Sequence, residues 1–229
     1  MTNTSVISYH TLIKVTSNNY STYTIHEDTK MIVDRAFYSC ERMTNIVIPD
    51  RVTSIGEDAF YHCRSLTSVV IGDSVTSIGE DAFYNTAYYN NAENWENDVL
   101  YIGKYLIEAK TSISGTYTIK KETTVIADYA FYDCGSLTSV VIGDSVTSIG
   151  SSAFDSCYNL TTVYYKGTAS EWSAISIGSY NSDLTNETRY YYSENEPALN
   201  ADGTAYNGNY WHYDTDGVTP VVWVYTTEE

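Results

Sequence analysis

The chain has 229 residues, 43% of them hydrophobic, which is enough apolar material for a real core in one or two domains. Twenty-nine acidic residues stand against 12 basic ones, a net charge of −17, and residues 180–229 carry nine acids and a single arginine. That balance disfavours nucleic acid and anionic membrane surfaces, which select basic stripes, and no apolar run is long enough to span a bilayer.

The opening stretch MTNTSVISYH lacks the basic and apolar regions of a signal peptide. Residues 11–37, TLIKVTSNNYSTYTIHEDTKMIVDRAF, align with 105–131, YLIEAKTSISGTYTIKKETTVIADYAF, at a constant offset of 94. The chain therefore reads as opening with half of a hairpin unit that recurs whole further on, and the missing signal as the mark of a trimmed start.

An internal repeat governs most of the chain. Phe37, Phe60, Phe83, Phe131 and Phe154 are spaced by 23, 23, 48 and 23 residues, each preceded directly by alanine and five positions earlier by isoleucine. The unit is L-x-x-V-x-I-x-x-x-V-x-x-I-G-x-x-A-F-x-x-C, as in Leu66, Val69, Ile71, Val75, Ile78, Ala82 and Phe83. Alternation at Val69-x-Ile71 predicts a short strand with one buried face, and IGEDAF predicts a tight helical turn that folds Ala and Phe inward. One such coil buries too few side chains to offset the ordering of its backbone, so the pattern predicts a stacked, end-capped solenoid.

The 48-residue step is two coils plus two residues, and apolar runs on either side of Gly103-Lys104 predict a two-residue hairpin inserted near 88–110. After the last coil, Thr168 and Glu171 have capping-box spacing ahead of Trp172 and Ile175, which predicts a helix over 168–178. TRYYYS at 188–193 reads as a strand. The division expected is a solenoid over 1–166, a helix-plus-strand cap over 167–195 and an acidic aromatic tail over 196–229, the tail either adding a strand or staying loose.

Several motifs invite chemistry. The stretch SLTSVVIGDSVTSIG occurs unchanged at 65–79 and 136–150 and contains GDS, yet no histidine recurs beside Ser74 or Ser145 to serve as base. The triplet reads as a turn, and no catalytic residue is assigned. Gly72 is replaced by Pro49 or Lys120 in sister coils and Gly79 by Val33 or Ala127, so neither position demands a positive φ. Cys40, Cys63, Cys134 and Cys157 each lie three residues after a phenylalanine, with Thr86 in that place in the third coil. A column of one per coil diverges rather than forming a tetrahedral zinc site, so buried free thiols are expected, with a Cys40–Cys63 disulfide as the alternative. YDTDGVTP at 213–220 lacks the third aspartate and distal glutamate of a calcium loop. No metal and no cofactor is expected.

The pattern LTSVVIGDSVTSIGEDAFYHC resembles the BspA-type leucine-rich repeat, and MTNIVIPDRVTSIGEDAFYHC matches it down to Pro49. The resemblance covers about residues 12–166. It implies an α/β class fold, a right-handed leucine-rich-repeat solenoid, strand-rich with short helical turns, of the kind found on bacterial surface and secreted proteins, where it serves adhesion or protein binding. An extracellular or cell-surface location follows from the same resemblance.

In such solenoids the residues flanking the buried strand positions face outward. Here these are Asn45 and Val47, Ser68 and Val70, Thr116 and Thr118, Ser139 and Val141, then Thr162 and Tyr164, preceded by Thr22 and Thr24. They form an uncharged strip with an apolar centre, a candidate partner site or simply a solvated sheet. A second candidate column follows the phenylalanines, Tyr38, Tyr61, Tyr84 and Tyr132, whose rings either bind ligand or pack on one another. The leading expectation is a non-enzymatic, monomeric scaffold that binds a protein or glycan, without nucleic acid or membrane insertion. A structural spacer of a larger surface protein is the alternative, followed by cell-wall or choline binding through the tail and by a hydrolase.

Overall fold

The structure, a computed structural model, describes residues 5–8, 11–15 and 21–226. Each 23-residue coil contributes one strand to a long parallel ladder and one shorter strand to a second. In the first ladder Thr22–Thr24, Asn45–Ile48 and Ser68–Ile71 pair in parallel, and separately, past the hairpin, Ser114–Thr118, Ser136–Ile142, Thr162–Tyr165 and Thr188–Tyr192. The second joins Met31–Ile32, Ser54–Ile55 and Ser77–Ile78, and separately Val125–Ile126, Ser148–Ile149 and Ser176–Ile177. The alternating repeat positions point into one core between the ladders, where Phe37, Phe60 and Phe83 stack at 4.8 and 5.1 Å and Phe131 on Phe154 at 4.8 Å.

The segment around each phenylalanine corrects the expectation of a helical turn. Residues two before and two after the ring take positive φ: Arg35 and Ser39, Asp58 and His62, Tyr129 and Asp133, Ser152 and Ser156. The left-handed residues turn alternate N–H groups along the solenoid axis. Arg35, Phe37 and Ser39 donate to Glu57, Ala59 and Tyr61 of the next coil at 2.7–2.8 Å, while Ala36, Tyr38 and Cys40 close local turns. A single isolated helical turn is a poor competitor, because its nucleation cost is not repaid by propagation. Three hydrogen bonds per coil to a neighbour therefore win.

Close stacking explains the glycines. A Cβ on Gly79 would lie 2.5 Å from Glu57 N, and one on Gly178 2.5 Å from Ser151 N. Val33 and Ala127 occupy the same repeat position only in coils that follow a hairpin.

The inserted hairpin pairs Val99–Ile102 with Tyr105–Ala109 around Gly103, whose φ is +57°. Its second strand joins the short ladder at Val125–Ile126. At the start of the chain Ser5–Ser8 pairs antiparallel with Thr11–Val15, the same strands 94 residues earlier and with the bulge at the matching step. Both strands of the unit are thus present, not half of it.

At the other end the helix is shorter than expected, Ala169–Ala174, with both capping-box hydrogen bonds formed between Thr168 and Glu171 and with Trp172 and Ile175 buried. Buried Asn181 stands in for a missing coil. Its Oδ1 accepts from Phe154 N at 3.0 Å, and its Nδ2 donates to Gly150 O at 2.9 Å. The tail extends the long ladder: Tyr210–Tyr213 pairs with Thr188–Tyr192, and Pro220–Val222 pairs back on Tyr210–Tyr213. Residues 227–229 of the tail lie outside the described residues.

Candidate functional site

The outward strip divides in two. In the first block Asn45 and Ser68 are exposed, and Val47 and Val70, in register with each other, are 56% and 54% exposed. They border a groove of about 770 Å³ with Pro49, Asp50, Arg51 and Asp73. Thr116 and Thr118 are exposed as well.

Beyond them the strip closes. Val141, expected outside, is fully buried, and Ser139, Thr162 and Tyr164 are only partly exposed. The physical reason lies in the tail. Tyr164, in register with Val141, packs on Tyr190 and on Trp211, and Trp211 is itself fully buried, its Nε1 donating to Tyr165 O at 3.0 Å. Tyr192 and Tyr213 flank the same indole.

The tyrosine column packs on itself. Tyr38 stacks on Tyr61 at 5.2 Å and Tyr61 on Tyr84 at 5.3 Å. Tyr84 then meets Tyr89, and Tyr89 meets Trp95. Tyr132 is not part of this stack and sets its ring edge-on to Tyr129. Between Tyr84 and Tyr132, where the hairpin interrupts the coils, lies a groove of about 510 Å³ lined also by Glu80, Asp81, Glu108, Asp128 and Tyr129. Burial raises the Glu108 carboxyl to about 7, while Tyr89 O–H donates to it at 2.8 Å. Burial also raises Glu80, Asp81 and Asp128, the acids around Glu80 and Asp81 adding to it.

The motifs that suggested chemistry are absorbed by packing. Asp73 of the first GDS holds the hairpin turn: Lys104 Nζ lies 2.9 Å from its carboxylate, and Tyr105 O–H donates to Gly72 O. All four cysteines are free and buried. Burial pushes Cys40 up to about 11 and the other three up to about 12, and Cys63 and Cys157 donate to Phe37 O and Phe131 O at 3.1 Å. Thr86 takes the cysteine's slot and caps the Ala87–Asn90 helix that begins the insertion, its side chain accepting from Tyr89 N at 3.0 Å. In the YDTDGVTP turn, Asp216 accepts from Val218 N and Thr219 N at 2.8 Å. Asn181, which caps the turn segment of the Phe154 coil, and Trp211, which closes the C-terminal end of the strip, carry no repeat signal; only their departure from the 23-residue register marks them.

The model of the BspA-type leucine-rich repeat region matches residues 30–161 in six copies. The chain belongs to the BspA-type leucine-rich repeat family. Among solved structures, this BspA-type solenoid is similar to the Treponema pallidum leucine-rich repeat protein at 19% identity, covering 80% of this chain and 78% of that one, with a TM-score of 0.39. A leucine-rich cell-surface protein from Faecalibacterium prausnitzii matches at 23% identity, over 63% of this chain and 65% of that one, with a TM-score of 0.28. A leucine-rich repeat protein from Bacteroides ovatus matches at 20%, over 75% and 61%, with a TM-score of 0.30. A comparison with curated proteins finds no match. No helix among the described residues of this family member is long and apolar enough to cross a membrane.

Proposed function

We propose that this chain is a non-enzymatic repeat scaffold at the surface or outside of a bacterial cell, binding a protein or glycan through the open half of its long ladder. The observation that carries the reading is the pair Val47 and Val70, side by side in register and more than half exposed. The equivalent surface at Val141 is covered by the chain's own aromatic residues. Adjacent apolar side chains left open on a regular ladder form a contiguous patch, the kind of surface that partner sites use. Asn45 and Ser68 beside them add hydrogen-bonding groups to the patch.

The test is a binding screen against extracellular matrix proteins and a glycan array, followed by the double variant Val47→Asp, Val70→Asp. A ligand should be found, and its affinity should fall by roughly tenfold or more in the double variant, since each substitution places a charge in a desolvated contact. Retention of affinity would remove the ladder site, and an empty screen would favour a spacer role.

A further inference from the structure

The groove between the Phe83 and Phe131 coils has three features that bear on what it can bind. The first is a row of backbone donors. In the Phe37 coil the N–H groups at the ring and two residues to either side all donate to the next coil, and the Phe60 and Phe131 coils repeat this. In the Phe83 coil the corresponding groups, on Asp81, Phe83 and Asn85, meet no acceptor among the described residues; Phe83 is fully buried, so Asp81 and Asn85 are the two a partner can reach. The inserted hairpin has displaced the coil that would have supplied three carbonyls, and unmet backbone donors are strong determinants of what binds beside them.

The second is charge. Glu80, Asp81, Glu108 and Asp128 line this groove and form no ion pair among the described residues. Its one lysine, Lys110, is held by Asp98 at 2.8 Å and over the Trp95 ring. No three acidic, cysteine or histidine side chains among the described residues are placed to hold a metal ion. The carboxylates are therefore suited to a larger, organic cation.

The third is an internal precedent. One repeat earlier, the acidic pair Glu57–Asp58 is met by a guanidinium: Arg35 Nε donates to Asp58 Oδ2 at 2.9 Å, and its Nη2 lies 3.5 Å from Glu57. Glu80–Asp81 is the same pair 23 residues on, but Asp58 stands in the place of Arg35 on the preceding coil, so this pair has no guanidinium from its own chain and its groove side, facing the hairpin, is open to one.

We propose that this groove binds a partner polypeptide in extended form, whose carbonyls accept from Asp81 and Asn85 and whose arginine side chain pairs with the carboxylates between Tyr84 and Tyr132. Strand-like addition to an open row of main-chain groups provides affinity, and the guanidinium provides selectivity. The site lies apart from Val47 and Val70, so the two readings fail separately.

The probe is an N-acetylated, C-amidated Gly-Ala-Arg-Ala-Gly peptide, with a citrulline version as a neutral isostere, titrated at low ionic strength and followed by NMR. The arginine peptide should bind at one site and slow amide exchange at Asp81 and Asn85. Citrulline, or the pair Asp81→Asn and Glu108→Gln, should weaken binding roughly tenfold or more. Asn tolerates the positive φ of Asp81, so the pair keeps the fold. Removing two charges elsewhere, Asp50→Asn and Asp144→Asn, should change affinity by less than about twofold, and Val47→Asp with Val70→Asp should not weaken it. Absence of binding, equal binding of citrulline, unchanged amide exchange, or equal loss in the distant charge variants would overturn the proposal.

Discussion

Glu108 is a side chain placed at a cost. Burial lifts its carboxyl from an ordinary 4.5 to about 7, so between those values the folded state holds a proton that the unfolded chain has released. Stability must then fall as pH rises through that window, and above about 7 the ionised group costs on the order of 3 kcal/mol. Glu108→Gln keeps an acceptor for Tyr89 and removes the ionisation. Urea unfolding should find the variant more stable by about 1–3 kcal/mol at pH 8 and equal to the parent near pH 5; equal stabilities at pH 8 would contradict the assignment. A carboxylate kept at such a cost suits a residue retained for binding. Single residues are unevenly legible in the sequence. The cysteine column and the turn at Gly72-Asp73-Ser74 follow from register alone, because a repeat supplies its own controls. The burial of Val141 does not, because its ladder neighbour Tyr164 packs on Trp211, which reaches that end of the ladder from 70 residues further along the chain than Val141.

Among the elements, the turn segments show how a repeat constrains its backbone. Where one coil lies directly against the last, the position after the short strand has room for hydrogen only; where a hairpin precedes it, Val33 and Ala127 are accepted. Gly79→Ala should therefore cost about 1–3 kcal/mol by overpacking. Ala127→Gly, at the same repeat position, should cost about 1 kcal/mol or less, from backbone entropy. The comparison of urea midpoints decides it, since equal losses would mean that the two environments do not differ. The hairpin at Val99–Ala109 is visible in the sequence as apolar runs around a glycine. That the opening residues form the same hairpin is only half visible, because Ser5 and Ser8 replace Val99 and Ile102 and hide the apolar pattern. The expected helical turn fails for a different reason: periodicity within one coil cannot register hydrogen bonds that exist only between coils.

For the whole molecule, periodicity is enough to give the solenoid, its length of repeat and the interruption. The open and covered halves of the surface are not readable, because exposure is decided by where the cap and tail return. The net charge of −17 is spread over a body whose ion pairs among the described residues use a minority of its acids. Self-repulsion should then dominate the salt response. The melting temperature should rise as sodium chloride is increased from about 10 to about 150 mM, over which the Debye length shortens from about 30 to about 8 Å. A fall would show that the ion pairs outweigh the repulsion.

The ladders also give the molecule a mechanical character. Their hydrogen bonds run from coil to coil, so a pull along the stacking axis loads each junction in turn rather than shearing many bonds together. Coils would peel away singly, each releasing 23 residues, or about 80 Å of slack at full extension. The junction that carries the hairpin would release 48 residues, roughly twice that length. Under tension the chain is a graduated tether with one long step, and that step lies where the groove is.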